Sequence, residues 1–140
     1  MSDPYTRFAE YVESIAREPF CYGVYDCLIF TNNAVRALTG NGFADDIIGR
    51  YSQRGAVLHE RKLIDTFGFR SFPDFLDSRL KRIDHINMPR GSVVAIARQS
   101  VPYYALGIAF GSGIVTCADY GTSWVDLDLA VMAWTAFGET

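Results

Sequence analysis

Pro19-Phe20-Cys21-Tyr22-Gly23-Val24-Tyr25-Asp26-Cys27-Leu28-Ile29-Phe30 is the stretch from which the fold is read. Pro19 to Tyr25 makes a loop around Gly23, and Asp26 then opens a helix that runs to Thr39-Gly40. An aspartate at that place accepts the unpaired N–H groups of the first turn, and Gly40-Asn41-Gly42 is a stop signal. The stripe expected to be buried is Cys27, Phe30, Ala34 and Leu38. Cys27 therefore stands at a helix N-terminus, where unpaired N–H groups and the helix dipole favour a thiolate. Such a sulfur is a nucleophile for acyl transfer, and the same N–H groups help to hold an oxyanion. Cysteine is also among the residues most often buried as a small apolar side chain, and position alone favours that plainer role.

Upstream, Asp3-Pro4 followed by Phe8, Tyr11, Val12 and Ile15 predicts a capped amphipathic helix. Downstream, a third helix is expected from about Gln53 to Phe67, with Gly68 as its stop. A fourth follows Ser71, with Phe72, Phe75, Leu76, Leu80 and Ile83 at helical spacing, until Pro89-Arg90-Gly91 breaks the pattern. After Gly91 the texture is β-prone: Val93 to Ile96, Tyr104 to Phe110, Ile114 to Cys117 and Ala133 to Phe137. Gly111-Ser112-Gly113 and Asp119-Tyr120-Gly121 read as hairpin turns between them. Helices first and a strand meander afterwards predict an α+β fold with an antiparallel sheet. One domain spans 1–140: an N-terminal helix in 1–18, a helical half with Cys27 in 19–90, and a β-sheet half in 91–140.

The chain of 140 residues is 49% hydrophobic and only 21% charged, which suits one packed core and argues against disorder. A net charge of -3 argues against a nucleic-acid partner, and Arg79, Lys81 and Arg82 read as a solvated helix end. Apolar runs such as Val93 to Ala97 are too short to span a bilayer, and the first residues show no signal-peptide pattern. No membrane insertion is expected, and synthesis in a cytoplasm is. Three cysteines (Cys21, Cys27, Cys117) cannot all pair within one chain, and thiols are expected. With two separated histidines, His59 and His85, no zinc site and no cofactor are expected. Trp124 and Trp134 read as sheet and core residues, and Tyr103 and Tyr104 as candidates to line a groove.

The segment around Cys27 resembles the nucleophile segment of NlpC-type, papain-like cell-wall cysteine peptidases. In that family a Pro-Tyr-x-Trp-Gly turn leads into Asp-Cys-Ser-Gly and a helix. Short phage-encoded relatives, with Pro-Phe-x-Trp-Gly, then Asp-Cys, then a helix ending in Leu-Thr-Gly, are more similar still; here the helix ends in Leu38-Thr39-Gly40. Pro89-Arg90-Gly91-Ser92-Val93-Val94 resembles the Pro-Gly-Asp lead into the family's first strand. Ala105-Leu106-Gly107-Ile108-Ala109-Phe110-Gly111 resembles the His-Val-Gly-Ile-Tyr-x-Gly strand that carries its histidine.

The resemblance implies a papain-like domain with a degenerate site. Cys27 matches the nucleophile, but Ala105 stands where the base histidine belongs, and an alanine moves no proton. Cys117 falls near the third polar position, Phe20 takes the place of the tyrosine near the oxyanion, and Ser92 replaces an aspartate. His59 and His85 are the alternative bases, each read more plainly as a residue of a solvated or connecting segment. The function implied is a structural part of a phage tail tip or hub, with other tail proteins as partners and the virion tail as its place. The alternative is an active peptidoglycan endopeptidase, or a weak acyl transferase, that uses Cys27 during infection. A redox pairing of Cys27 with Cys21 or Cys117 is a third reading, which the spacing does not favour.

Overall fold

Side-chain caps start three of the helices in the computed structural model, which describes residues 3–53, 56–58, 60–97 and 104–137. Helix α1 (Pro4–Ser14) begins where the Asp3 carboxylate accepts the Tyr5 N–H at 2.7 Å. Helix α2 (Cys27–Thr39) begins at Asp26 and ends at Gly40, as read from the sequence. Its buried face is wider than the expected stripe and includes Leu28, Ile29, Thr31, Asn32 and Val35. The two helices pack together with Phe8 buried and Tyr11 stacked on Phe30, ring centroids 5.9 Å apart.

The helix expected from about Gln53 to Phe67 is corrected. Strands β1 (Ser52–Gln53) and β2 (Ala56–Val57) pair antiparallel, and only Glu60–Phe67 (α3) is helical. The Leu58 N–H donates to the Tyr51 carbonyl at 2.8 Å, so main-chain bonds cross a hairpin instead of running along a helix. Serine at 52 and glycine at 55 are poor helix formers, and the pairing takes over. Helix α4 (Phe72–Arg79) is capped by the Ser71 hydroxyl and ends before Leu80, whose backbone is extended. Ile83, expected on that helix, lies in strand β3 (Arg82–Ile83) instead. There Arg82 pairs with Asp77 at 2.8 Å and covers the Trp134 ring, while the Lys81 carbonyl accepts the Thr135 N–H at 3.0 Å.

The main sheet adds β4 (Val93–Ile96), β5 (Ala105–Phe110), β6 (Gly113–Cys117), β7 (Thr122–Asp126) and β8 (Ala130–Trp134). Its order is β3-β8-β4-β5-β6-β7, and every neighbouring pair is antiparallel. Both hairpin turns stand where the sequence puts them. The last strand, expected at Ala133 to Phe137, runs earlier, because its register pairs Trp134 with Val93 and Ala130 with Ile96.

Alternation along the strands separates two apolar layers. Val93, Ala95, Leu106, Ile108, Val115 and Trp134 face the helices. Val94, Ile96, Ala105, Ala109, Ile114 and Ala133 form a second cluster on the opposite face. Trp134 is the core residue expected of it. Trp124 is in the sheet but 60% exposed, because β7 is an edge strand with a neighbour on one side only. The Arg79 guanidinium is matched by Asp46 and that of Arg82 by Asp77, so these charges form no unpaired basic patch. Among the described residues no helix is long and apolar enough to cross a membrane.

Candidate functional site

The site is built around Asp26, which is fully buried. Its Oδ1 accepts the Ile29 N–H at 2.9 Å and so caps α2. Its Oδ2 accepts the Gly23 N–H at 2.8 Å and the Tyr51 hydroxyl at 2.5 Å. One carboxylate therefore ties the helix start to the loop before it and to the chain entering β1. Gly23 has a φ of 86°, and a Cβ there would lie 2.2 Å from Ser52 Oγ. The left-handed φ favours glycine there, and the Ser52 hydroxyl occupies the space a side chain would take. Cys21 and Tyr25 exchange both main-chain bonds at 2.8 Å, closing the loop on itself.

The opposite wall is the turn between β6 and β7. The Phe20 N–H donates to the Asp119 carbonyl at 2.8 Å, and the Gly121 N–H to the Glu18 carbonyl at 2.8 Å. The Tyr25 hydroxyl reaches the Gly121 carbonyl at 2.5 Å. These three bonds fasten the segment leading to Cys27 onto the end of β6.

Between the walls lies a partly open cavity of about 400 Å³. It sits where β4 ends, β5 and β7 begin, and β6 ends. Phe20, Tyr22 and Phe72 supply aromatic surface, and Tyr104 stands at the start of β5. Cys27 and Cys117 supply two thiols, both half-buried. Ala105, Thr116 and Ser123 line the sheet side, and the Thr116 hydroxyl is already spent on the Leu106 carbonyl at 2.8 Å. Asp119 brings the one carboxylate, and no histidine, lysine or arginine lines this cavity among the described residues.

Cys27, Ala105, Cys117 and Phe20 all line this cavity, although Ala105 also belongs to the cluster on the sheet face away from the helices. Ser92 is buried beside β4, its hydroxyl donating to the Pro89 carbonyl at 2.6 Å, and does not line the cavity. His85 lines a different cavity with Ile86, Met88, Leu127, Asp128 and Ala130, which shares no residue with that of Cys27. His59 and Tyr103 lie outside the described residues. Asp26 is the cap expected of it, with both oxygens occupied. Sequence reasoning missed Tyr22, Asp119 and Ser123 as lining residues and Tyr51 as the support of Asp26. Tyr51 is 25 positions from Asp26, and no local pattern signals such a contact.

Burial pushes the Tyr51 phenol well above its ordinary value, and the Asp26 carboxylate beside it pushes further the same way. Burial also raises Tyr25, with the neighbouring Cys117 thiol adding to the shift. Burial carries Tyr11 up to about 12, against the nearby Asn33 side chain, which lowers it. Tyr51 and Tyr25 therefore stay neutral hydrogen-bond donors through the physiological range. Among the described residues no group of three or more histidine, cysteine, aspartate or glutamate side chains is placed to hold a metal ion.

Fold and site together define an α+β domain whose helix-terminal thiol faces a cleft at one end of an antiparallel sheet. The chain belongs to the family described as a domain of unknown function, DUF6950, whose model matches residues 1–136. No curated protein matches the chain.

Proposed function

We propose that this chain is a structural component of a phage tail tip or hub, built on an NlpC-like, papain-type fold whose catalytic set is degenerate. One observation supports the non-catalytic half of this reading: among the described residues, the cavity that holds Cys27 is lined by Ala105 and Cys117 and by no basic side chain. Peptide cleavage needs a base for the thiol and an acid for the leaving amine. A helix N-terminus supplies neither. The phage-tail half rests on the resemblance of the Pro19–Phe30 segment and the Leu38-Thr39-Gly40 helix end to short phage-encoded relatives of the peptidase family. Function belongs to the site and not the fold, so the two halves are tested separately.

For the first half, the purified protein is incubated with purified peptidoglycan. No new amino termini are expected above those released by Cys27→Ala. Release by the wild type that Cys27→Ala abolishes would falsify the non-catalytic reading. It would favour the second one, an endopeptidase or weak acyl transferase, which the partly open cavity at Cys27 leaves sterically accessible. For the second half, antibodies against the chain are applied to virions made by the genome that encodes it. Label at the tail end is expected, and unlabelled particles would sink the assignment to the tail.

A further inference from the structure

Two of the three thiols share the one cavity, although they lie far apart in the sequence, and nothing in the proposed function uses the second. Cys27 is the first residue of α2, a helix of 13 residues, and Cys117 is the last residue of β6. The two elements pack against each other. The stitching is local to the thiols. Phe20 and Asp119, Glu18 and Gly121, and Tyr25 and Gly121 are joined by hydrogen bonds of 2.8, 2.8 and 2.5 Å. The Cys117 thiol donates to the Ala118 carbonyl at 3.7 Å and lies beside Tyr25, which precedes Cys27 by two residues. Cys21 is exposed on the loop and does not line the cavity.

We propose that Cys27 and Cys117 form an oxidisable thiol pair, in which a small hydroperoxide entering the cavity converts them to an intramolecular disulfide that welds α2 to β6. Cys27 is the attacking sulfur, because a helix N-terminus favours its thiolate. The Cys27 thiolate takes the terminal oxygen of the hydroperoxide; the O–O bond breaks and hydroxide or alkoxide leaves with the electron pair. The product is a sulfenic acid on Cys27. The Cys117 sulfur then attacks the Cys27 sulfur, its proton leaving with the expelled hydroxide as water. Two thiols are oxidised by two electrons and one hydroperoxide is reduced. Cys117 must give up its contact with the Ala118 carbonyl and turn toward Cys27 in this step, while Tyr25 keeps its bond to the Gly121 carbonyl. The inference is independent of the phage-tail reading, since the peptidoglycan and virion experiments follow other observables.

The experiment treats the native full chain with hydrogen peroxide and follows intact mass and proteolytic peptides. The expected product has lost two hydrogens and yields a linked peptide joining Cys27 to Cys117. Cys21→Ser gives the same product. Cys117→Ser, checked for an unchanged melting transition, accumulates a dimedone adduct on Cys27 at about tenfold or more the wild-type level, because the sulfenic acid has no partner. Three outcomes overturn the inference. Cys27 ends as sulfinic acid in the wild type while Cys117 stays reduced, or the linked peptide contains Cys21, or neither cavity thiol reacts until the protein is unfolded.

Discussion

Asp26→Ala is expected to lower the unfolding free energy by about 4 kcal/mol, read as an earlier midpoint in urea denaturation. Two contributions make the figure. Removing an N-cap aspartate costs about 1 kcal/mol. Leaving a buried hydroxyl and a loop N–H without acceptors costs roughly 1–3 kcal/mol for each group that water cannot reach. The hydroxyl is that of Tyr51, which has no exposed surface, and the N–H is that of Gly23. Tyr51→Phe removes the donor together with its bond, and about 1 kcal/mol is expected for it. The double variant is therefore expected to be less destabilised than the two single losses summed, because the orphaned hydroxyl is gone. A loss below about 1 kcal/mol in Asp26→Ala would mean that the carboxylate serves only as an ordinary surface cap, since exposed caps fall in that range. The same variant is a structural test of the cleft. Asp26 fixes the loop that brings Tyr22 into the cavity wall, so Cys27 is expected to be alkylated by iodoacetamide faster in it than in the wild type.

What the sequence reveals of this fold depends on how far each determinant acts. Asp3, Asp26 and Ser71 each bind an N–H two or three residues on, and all three helix starts are readable from those residues. The two glycine turns at 111–113 and 119–121 are equally local. The stretch from Gln53 to Phe67 misleads because the chain leading into it is held by partners elsewhere: Tyr51 bonds to Asp26, and Ser52 sits close against Gly23. Strand β7 escapes notice because Thr122-Ser123-Trp124-Val125-Asp126 is an edge strand with little apolar alternation, and β3 is two residues long. The site divides in the same way. Cys27 is legible because a cap announces the helix it begins. Ala105 and Cys117 are placed only by likeness to a known strand pattern. Their meeting with Cys27 needs the antiparallel pairing of β5 and β6 and the bonds from Phe20 and Tyr25 to the β6–β7 turn. His85, an alternative base read more plainly as part of a connecting segment, lines a different cavity.

Two bonds to the β6–β7 turn, those with Glu18 and Tyr25, meet at Gly121, and Gly121→Ala is expected to cost about 3 kcal/mol. The residue has a φ of 65°, and a Cβ would stand 2.5 Å from the Ala16 carbonyl oxygen and 2.9 Å from its carbon. The left-handed backbone alone costs a residue with a side chain about 1 kcal/mol. The remainder comes from forcing apart two main chains, and overpacking typically costs roughly 1–3 kcal/mol. Gly111 isolates the two terms, because its φ is also 65° and nothing lies within 4 Å of its Cβ position. Gly111→Ala is therefore expected to cost about 1 kcal/mol, the backbone share alone. The functional consequence separates them further. Moving Gly121 away from Ala16 pulls on the bond from its N–H to Glu18 and on the one from Tyr25 to its carbonyl. Both hold the segment before Cys27 against the sheet end. Cys27 in Gly121→Ala is expected to react with iodoacetamide faster than in the wild type at urea concentrations well below its unfolding midpoint, while Gly111→Ala keeps the wild-type rate. Equal rates in the two variants would mean that the cleft is held by the sheet and α2 alone, and that the turn after β6 does not govern access to the thiol.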